Sequence, residues 1–231
     1  MFWNYFYDYY YIVLVVPMLL LSVIAQVKVK SAYSKYSHVQ NSRGLTGASA
    51  AYAVLNHYGI SNVAIEPTEG NLTDHYDPRT NVIRLSTGVY NSTSVAAVGI
   101  ACHEAGHAAQ HAEGYSPIKI RNAVLPVCNI GSTLGIPLAI IGFFMGFEPL
   151  VVIGICLYAL VAVFQLVTLP VEFNASRRAL EVIDGSGLLG EDERTGAKKV
   201  LTAAAMTYVA ALAVSVANLL RLILRFGNRK R

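Results

Sequence analysis

Four long apolar runs divide the chain. They cover about 9–27, 124–147, 150–169 and 200–226, and between them charged and polar side chains recur every few positions. About twenty helical residues rise the roughly 30 Å of a hydrocarbon core, so each of the first three runs predicts a membrane-crossing helix. The second and third are joined only by Gly146-Phe147-Glu148-Pro149, which makes them a tight hairpin. The fourth begins alanine-rich and carries Arg221 and Arg225 near its end. That leaves open a full crossing or a helix partly at the interface, so three or four spans are expected.

The first run follows an aromatic cluster (Trp3, Tyr5, Tyr7, Tyr9, Tyr10 and Tyr11) of the kind that sits at headgroup level. A cleaved signal peptide needs a basic segment ahead of its apolar core, and only Asp8 is charged there, so the run reads as an uncleaved anchor. Pro137 predicts a kink in the first hairpin arm. The pairs Gly131/Gly135 and Gly142/Gly146 would let another helix approach closely.

The polar stretch after the anchor has the pattern of a small α+β unit. Residues 46–58 predict a helix with Thr46 as N-cap and Gly59 closing it. Short strands follow at 62–65, 71–76 and 81–85, with Asp77-Pro78-Arg79-Thr80 turning between the last two. Ser92 or Thr93 caps a second helix over 94–111, which closes near Gly114. The domains expected are 1–27 as anchor, 28–123 as the α+β unit, 124–169 as hairpin, 170–199 as a returning helix and 200–231 as a last membrane helix with a basic tail.

Composition agrees. Of 231 residues, 54% are hydrophobic and only 14% charged, against about 25% charged in an ordinary soluble domain. Disorder and a disulfide scaffold are excluded: the chain is too apolar for the first, and three scattered cysteines cannot build the second. Eight of the 18 Lys and Arg lie within 28–121, five within 170–199 and five from Arg221 onward, with none on the hairpin tip. Two spans separate the first two groups, so both face one side, and the excess of positive charge makes that side cytoplasmic. A fully crossing last helix would put the basic tail on the other side. The net charge of +4 fits membrane-proximal anchoring, and no basic stripe interleaved with aromatics suggests nucleic acid.

The second helix of the polar unit contains His103-Glu104-Ala105-Gly106-His107, an HExxH sequence. Residues four apart share a helix face, so both imidazoles can reach one zinc ion at about 2.0–2.1 Å. Glu104 lies beside that position and can take a proton from water that the metal acidifies, then pass it to a leaving amine. The plainer alternative, two satisfied core histidines, must bury two imidazoles and a carboxylate on an alanine-rich face.

Catalytic zinc takes a third protein ligand. His111 is excluded on an unbroken helix, because it lies about 12 Å along the axis from His103. The better candidate is Glu172, in Pro170-Val171-Glu172-Phe173-Asn174-Ala175-Ser176, where the hairpin returns the chain. Pro170 suits the first turn of a new helix, with Glu172 inside that turn. Its plainer alternative is a glutamate favoured by the helix macrodipole. Ser176 lies one turn on and can hydrogen-bond a ligand; Arg177 and Arg178 read as interfacial anchors.

Five segments together carry a family resemblance: LTDHYDPR (72–79), YNSTSVAAVGI (90–100), HEAGHAAQHAEGY (103–115), FQLVTLPVEFNASRRAL (164–180) and GAKKVLTAAAMTYVAA (196–211). Over nearly its whole length the chain resembles the YugP-type neutral zinc metallopeptidases of membranes. The HExxH helix, hairpin and returning glutamate are also similar to HtpX-type and CAAX-prenyl-type membrane proteases. In those the glutamate's helix reads ExxxD, the aspartate bracing a histidine ligand; here Ser176 stands in that place. The resemblance implies zinc and peptide-bond hydrolysis.

The residues around the strands offer further roles. His75, Tyr76 or Tyr90 can donate to a developing oxyanion, and a substrate strand can pair with an exposed sheet edge. The plainer reading of His75, beside Asp74 and Asp77, is a solvated turn. Cys102 points away from His103 as a small core residue, and the triplets beginning at Asn71, Asn91 and Asn174 match a glycosylation pattern that recurs by chance.

The expected fold is an α+β zincin-like metallopeptidase unit, short strands plus the HExxH helix, embedded in a mostly helical membrane protein. The expected function is zinc-dependent hydrolysis of membrane or membrane-proximal proteins. His103, His107 and Glu172 would be ligands to Zn2+, and Glu104 general base then general acid. The alternative is a membrane scaffold or chaperone partner that keeps zinc for structure alone.

Overall fold

The computed structural model describes residues 8–226. Trp3, Tyr5, Tyr7 and the basic residues 229–231 fall outside that range. A wide π-turn at Tyr11–Val15 leads into α1, Val16–Tyr36. Then come α2 (Gly47–His57), β1 (Ala64–Thr68), β2 (His75–Asp77), β3 (Val82–Ser86) and the single turn α3 (Thr87–Tyr90). Four residues of polar loop, 91–94, precede α4 (Val95–Ala112), which is followed by α5 (Ser116–Met145), α6 (Glu148–Gly185) and α7 (Glu191–Phe226). Tyr11–Tyr36, α5, α6 and α7 are each long and apolar enough to cross a membrane. The upper expectation of four candidate spans therefore fits.

The chain forms two compact units. One comprises 8–25, Ile120–Leu169 and 207–226 of the described residues. Here the hairpin arms of α5 and α6 meet at glycines, as their spacing predicted. A Cβ on Gly154 would lie 2.5 Å from the Ala139 nitrogen, so only glycine permits that approach. The ring of Phe226 packs 4.8 Å from that of Phe143, close to the hairpin tip, so α7 runs the length of this unit rather than stopping short. Arg221 and Arg225 both reach Asp8, at 2.8 and 3.5 Å, which offsets part of the positive charge at that end.

The other unit comprises Gln26–Lys119 and Pro170–Met206. Its sheet has the order β1-β3-β2, with β1 parallel and β2 antiparallel to β3. β3 is central, and four of its five residues are buried. Helices α2 and α4 supply an alanine-rich core with Val54, Leu55, Val98, Ala101 and Ala105 against Ile83 and Leu85. Small side chains let these elements pack closely.

Local signals place the ends of the elements. Thr46 Oγ1 accepts from the Ser49 amide at 3.2 Å, and Gly59 closes α2 at φ +66°. The cap of α4 is Ser94, not Ser92 or Thr93: its Oγ accepts from the Ala97 amide at 3.2 Å, while Ser92 Oγ supports Ser94. The second strand is shorter than expected, because Leu72 adopts φ +56° and breaks the extended run. The Asp74 carboxylate then turns to the Ser86 amide at 2.7 Å.

Pro170 does not begin a helix. It lies inside α6, which continues unbroken from the hairpin to Gly185. Proline removes one N–H from the ladder, whereas ending one helix and starting another beside the apolar run would leave several backbone groups to satisfy. The macrodipole alternative for Glu172 fails with it, since that residue is far from any helix start. The expected 170–199 element is instead the end of α6, a short turn and the start of α7.

Candidate metal centre

The structure brings His103, His107 and Glu172 together. One ligand atom from each lies within 4.8 Å of the others. Nε2 of His103 is 3.3 Å and Nε2 of His107 is 3.6 Å from the same oxygen, Oε2 of Glu172. Two ligand atoms on a tetrahedral zinc, with bonds near 2 Å, stand about 3.3 Å apart. Two imidazoles and one carboxylate are also the donor set of an open zinc site. The residues fit the metal that the sequence implies.

Gly106 explains how two helices come this close. A Cβ there would lie 2.6 Å from the Ala175 carbonyl oxygen, so glycine lets the backbone of α6 pack directly against α4. The Glu172 side chain, 3% exposed, is thereby delivered to the histidines, which are 16% and 10% exposed. Burial disfavours a charged His107, but the Glu172 carboxylate beside it, with Glu104, more than offsets this. The ring holds a proton more tightly than an ordinary histidine.

Each imidazole has its far nitrogen engaged. His103 Nδ1 lies 3.1 Å from Ser176 Oγ, so the hydroxyl occupies the bracing position that the ExxxD comparison raised. His107 Nδ1 lies 3.0 Å from Gln110 Oε1. The Gln110 amide donates to Val171 O at 2.8 Å and to Asn174 Oδ1 at 2.9 Å. Arg178 Nε also donates to Asn174 Oδ1, at 2.8 Å, and its guanidinium pairs with Glu113 at 2.7 Å. Arg178 is thus part of the centre rather than an interfacial anchor. Arg177 pairs with Glu181 on the exposed side of α6.

Glu104 stands beside the cluster. Its Oε2 accepts from the Tyr76 amide of β2 at 3.0 Å, which fixes the carboxylate against a sheet edge. The Tyr76 hydroxyl donates to Asn81 Oδ1 at 3.0 Å and lies 3.3 Å from His111 Nδ1. His111 therefore belongs with Tyr76 and is outside the His/His/Glu group. His75 is exposed and contacts the Thr73 carbonyl, while Tyr90 packs against the core. Cys102 is buried, which pushes its thiol pKa up and leaves it unreactive.

Sequence reasoning missed Gln110, Asn174 and the Tyr76 amide. Gln110 had a signal: it lies three residues after His107, on the same face of an otherwise small-residue helix. Asn174 and the Tyr76 amide had none, because their partners lie 64 and 28 positions away.

The chain has known relatives. Residues 11–227 match the family model described as "Putative neutral zinc metallopeptidase". The chain is 46% identical over 218 residues to "Putative membrane protease YugP" of Bacillus subtilis (strain 168), covering 94% of this chain and 97% of that one. No solved structure matches. With the match spanning nearly every described residue, the chain belongs to the neutral zinc metallopeptidase family named in that model.

Proposed function

We propose that this protein is an integral membrane zinc metallopeptidase of the HExxH + Glu type. The observation that carries the reading is the convergence of two Nε2 atoms and one carboxylate oxygen at 3.3 and 3.6 Å. His103, His107 and Glu172 would hold the ion. Zinc, when bound, supplies Lewis acidity toward water and the scissile carbonyl.

The chain's own groups do the rest. Glu104, held by the Tyr76 amide, takes the proton of the attacking water at its carboxylate and returns it to the leaving nitrogen. β2 is a sheet edge, so an extended substrate laid along it would pass beside Glu104. Helix α4 against a sheet whose edge serves the site supports the zincin-like description.

Glu172 follows the apolar run of α6 directly, which favours substrates that are membrane proteins or membrane-proximal segments. The basic residues around the site favour a cytoplasmic catalytic face. The deciding experiment measures zinc content and cleavage, of casein or of the chain itself, in wild type, Glu172→Ala and Glu104→Gln. The reading requires zinc in wild type and Glu104→Gln, little in Glu172→Ala, and cleavage in wild type alone. Unchanged cleavage by Glu104→Gln would sink it. Zinc in all preparations with cleavage in none would favour the scaffold. Equal turnover of soluble peptides with and without lipid would count against membrane substrates.

A further inference from the structure

We infer that Gln110, Asn174 and Arg178 form a hydrogen-bond relay of fixed donor directions, converging on Asn174 Oδ1, that sets the tautomer of His107 and leaves its Nε2 lone pair free on the side of Glu172. The inference rests on the proposed zinc reading for its purpose, but its geometry is independent of it. Each of the three is a positioning residue, acting through His107.

The direction of the relay follows from what each group can donate. A backbone carbonyl only accepts, so the contact of Gln110 with Val171 O at 2.8 Å must come from the amide NH2. The contact with Asn174 at 2.9 Å requires the same orientation. Arg178 supplies the reason: its guanidinium only donates and stays protonated, so Asn174 must turn its Oδ1 toward it, at 2.8 Å. That oxygen has two lone pairs and receives both donors.

Two acceptors therefore hold the Gln110 NH2, and its Oε1 is left facing His107 Nδ1 at 3.0 Å. An amide oxygen cannot donate, so Nδ1 carries the hydrogen. In the neutral ring Nε2 is then bare, 3.6 Å from Glu172 Oε2. Gln110 is fully buried, so water does not compete for these positions. The relay also joins the two helices that carry the ligands, since Gln110 is on α4 and Val171 and Asn174 are on α6.

His103 is the internal contrast. Its Nδ1 faces Ser176 Oγ at 3.1 Å, and a hydroxyl can donate or accept. The same centre thus holds one imidazole with an imposed tautomer and one without.

The test uses the full chain in lipid nanodiscs, zinc-free, 15N-labelled at histidine and held at mildly alkaline pH. The six histidines give a small set of nitrogen signals, and His107→Gln identifies the pair of interest. The expected wild-type result is a protonated Nδ1 and bare Nε2 at His107. Gln110→Leu should lose that preference without moving the His103 signals. Its zinc affinity, read by competition with a chelator, should fall by about 10–100-fold, the range typical of partners that orient metal ligands. Arg178→Met should act in the same direction and Arg178→Lys should restore much of the effect, because a lysine still only donates. If Gln110→Leu does not fold, the Arg178 pair decides.

A wild-type His107 with a bare Nδ1 and its one hydrogen on Nε2 overturns the relay, as does a folded Gln110→Leu with unchanged tautomer and affinity. A wild type that shows the fixed tautomer yet takes no zinc supports the relay and refutes the proposed function.

Discussion

Gly106 and Ala175 stand backbone against backbone, with 2.6 Å between the Ala175 carbonyl oxygen and the place a Cβ at 106 would occupy. Gly106→Ala must therefore push α6 away from α4, and Glu172 with it. Overpacking of this kind costs about 1–3 kcal/mol. The expected outcome is a lower unfolding midpoint and a marked loss of bound zinc. Gly185→Ala, where nothing lies within 4 Å, serves as the control and should leave zinc content unchanged.

Glu104→Gln keeps the size of the side chain and an oxygen for the Tyr76 amide, but it removes the base. Zinc content should stay at the wild-type level. Cleavage should fall by about 10²–10⁴-fold, the contribution of a positioned proton-transfer group. The measurement is a single protein preparation assayed for both.

Removing zinc should destabilise the fold, since an ion that binds only the native state adds about 4 kcal/mol at a thousand-fold excess over its Kd. pH sets how firmly it binds. The folded-state pKa of His107 is raised by Glu172, against the opposing effect of burial. In the zinc-free protein that contribution to stability is full below the unfolded imidazole value of about 6.5 and is lost as pH rises through the higher folded value. Zinc must displace the same proton, so its affinity should climb over the same interval. Thermal unfolding of the zinc-free form and zinc titrations across neutral pH check both slopes.

Asp74 accepts from the Ser86 amide at 2.7 Å and from its hydroxyl at 3.0 Å. Ser86 is 1% exposed, so Asp74→Ala would leave a buried donor without its partner. A loss of about 1–3 kcal/mol is expected in denaturant unfolding. Ser86→Ala, which removes only the hydroxyl, should cost less.

The proposed orientation is checked by labelling on a cysteine-free background. An impermeant maleimide added to intact cells should reach Phe147→Cys at the hairpin tip and should not reach Asp192→Cys. The reverse pattern would place the catalytic face outside.

How much of this was legible depended on the range of the interaction. The pairing of His103 with His107 is a property of one helix turn and can be read from spacing alone. Glu172 could be found because a hairpin must bring its return close to its departure, though the local reading of Pro170 was wrong. Proline at a helix start is a statistical preference of water-exposed chains, and beside an apolar run the cost of interrupting the ladder reverses it. The cap at Ser94 was missed by one or two positions because three neighbouring hydroxyls carry the same signal. In the polar connection from His107 to Arg178 only the step from His107 to Gln110 had a local signal; the crossing to α6 joins residues more than sixty apart whose side chains look ordinary one at a time.

The unbroken course of α6 through Pro170 puts Glu172 in the same helical ladder as the apolar run before it. No loop lies between that run and residue 172 to absorb a displacement, so the turn that presents the carboxylate is set by the helical ladder itself.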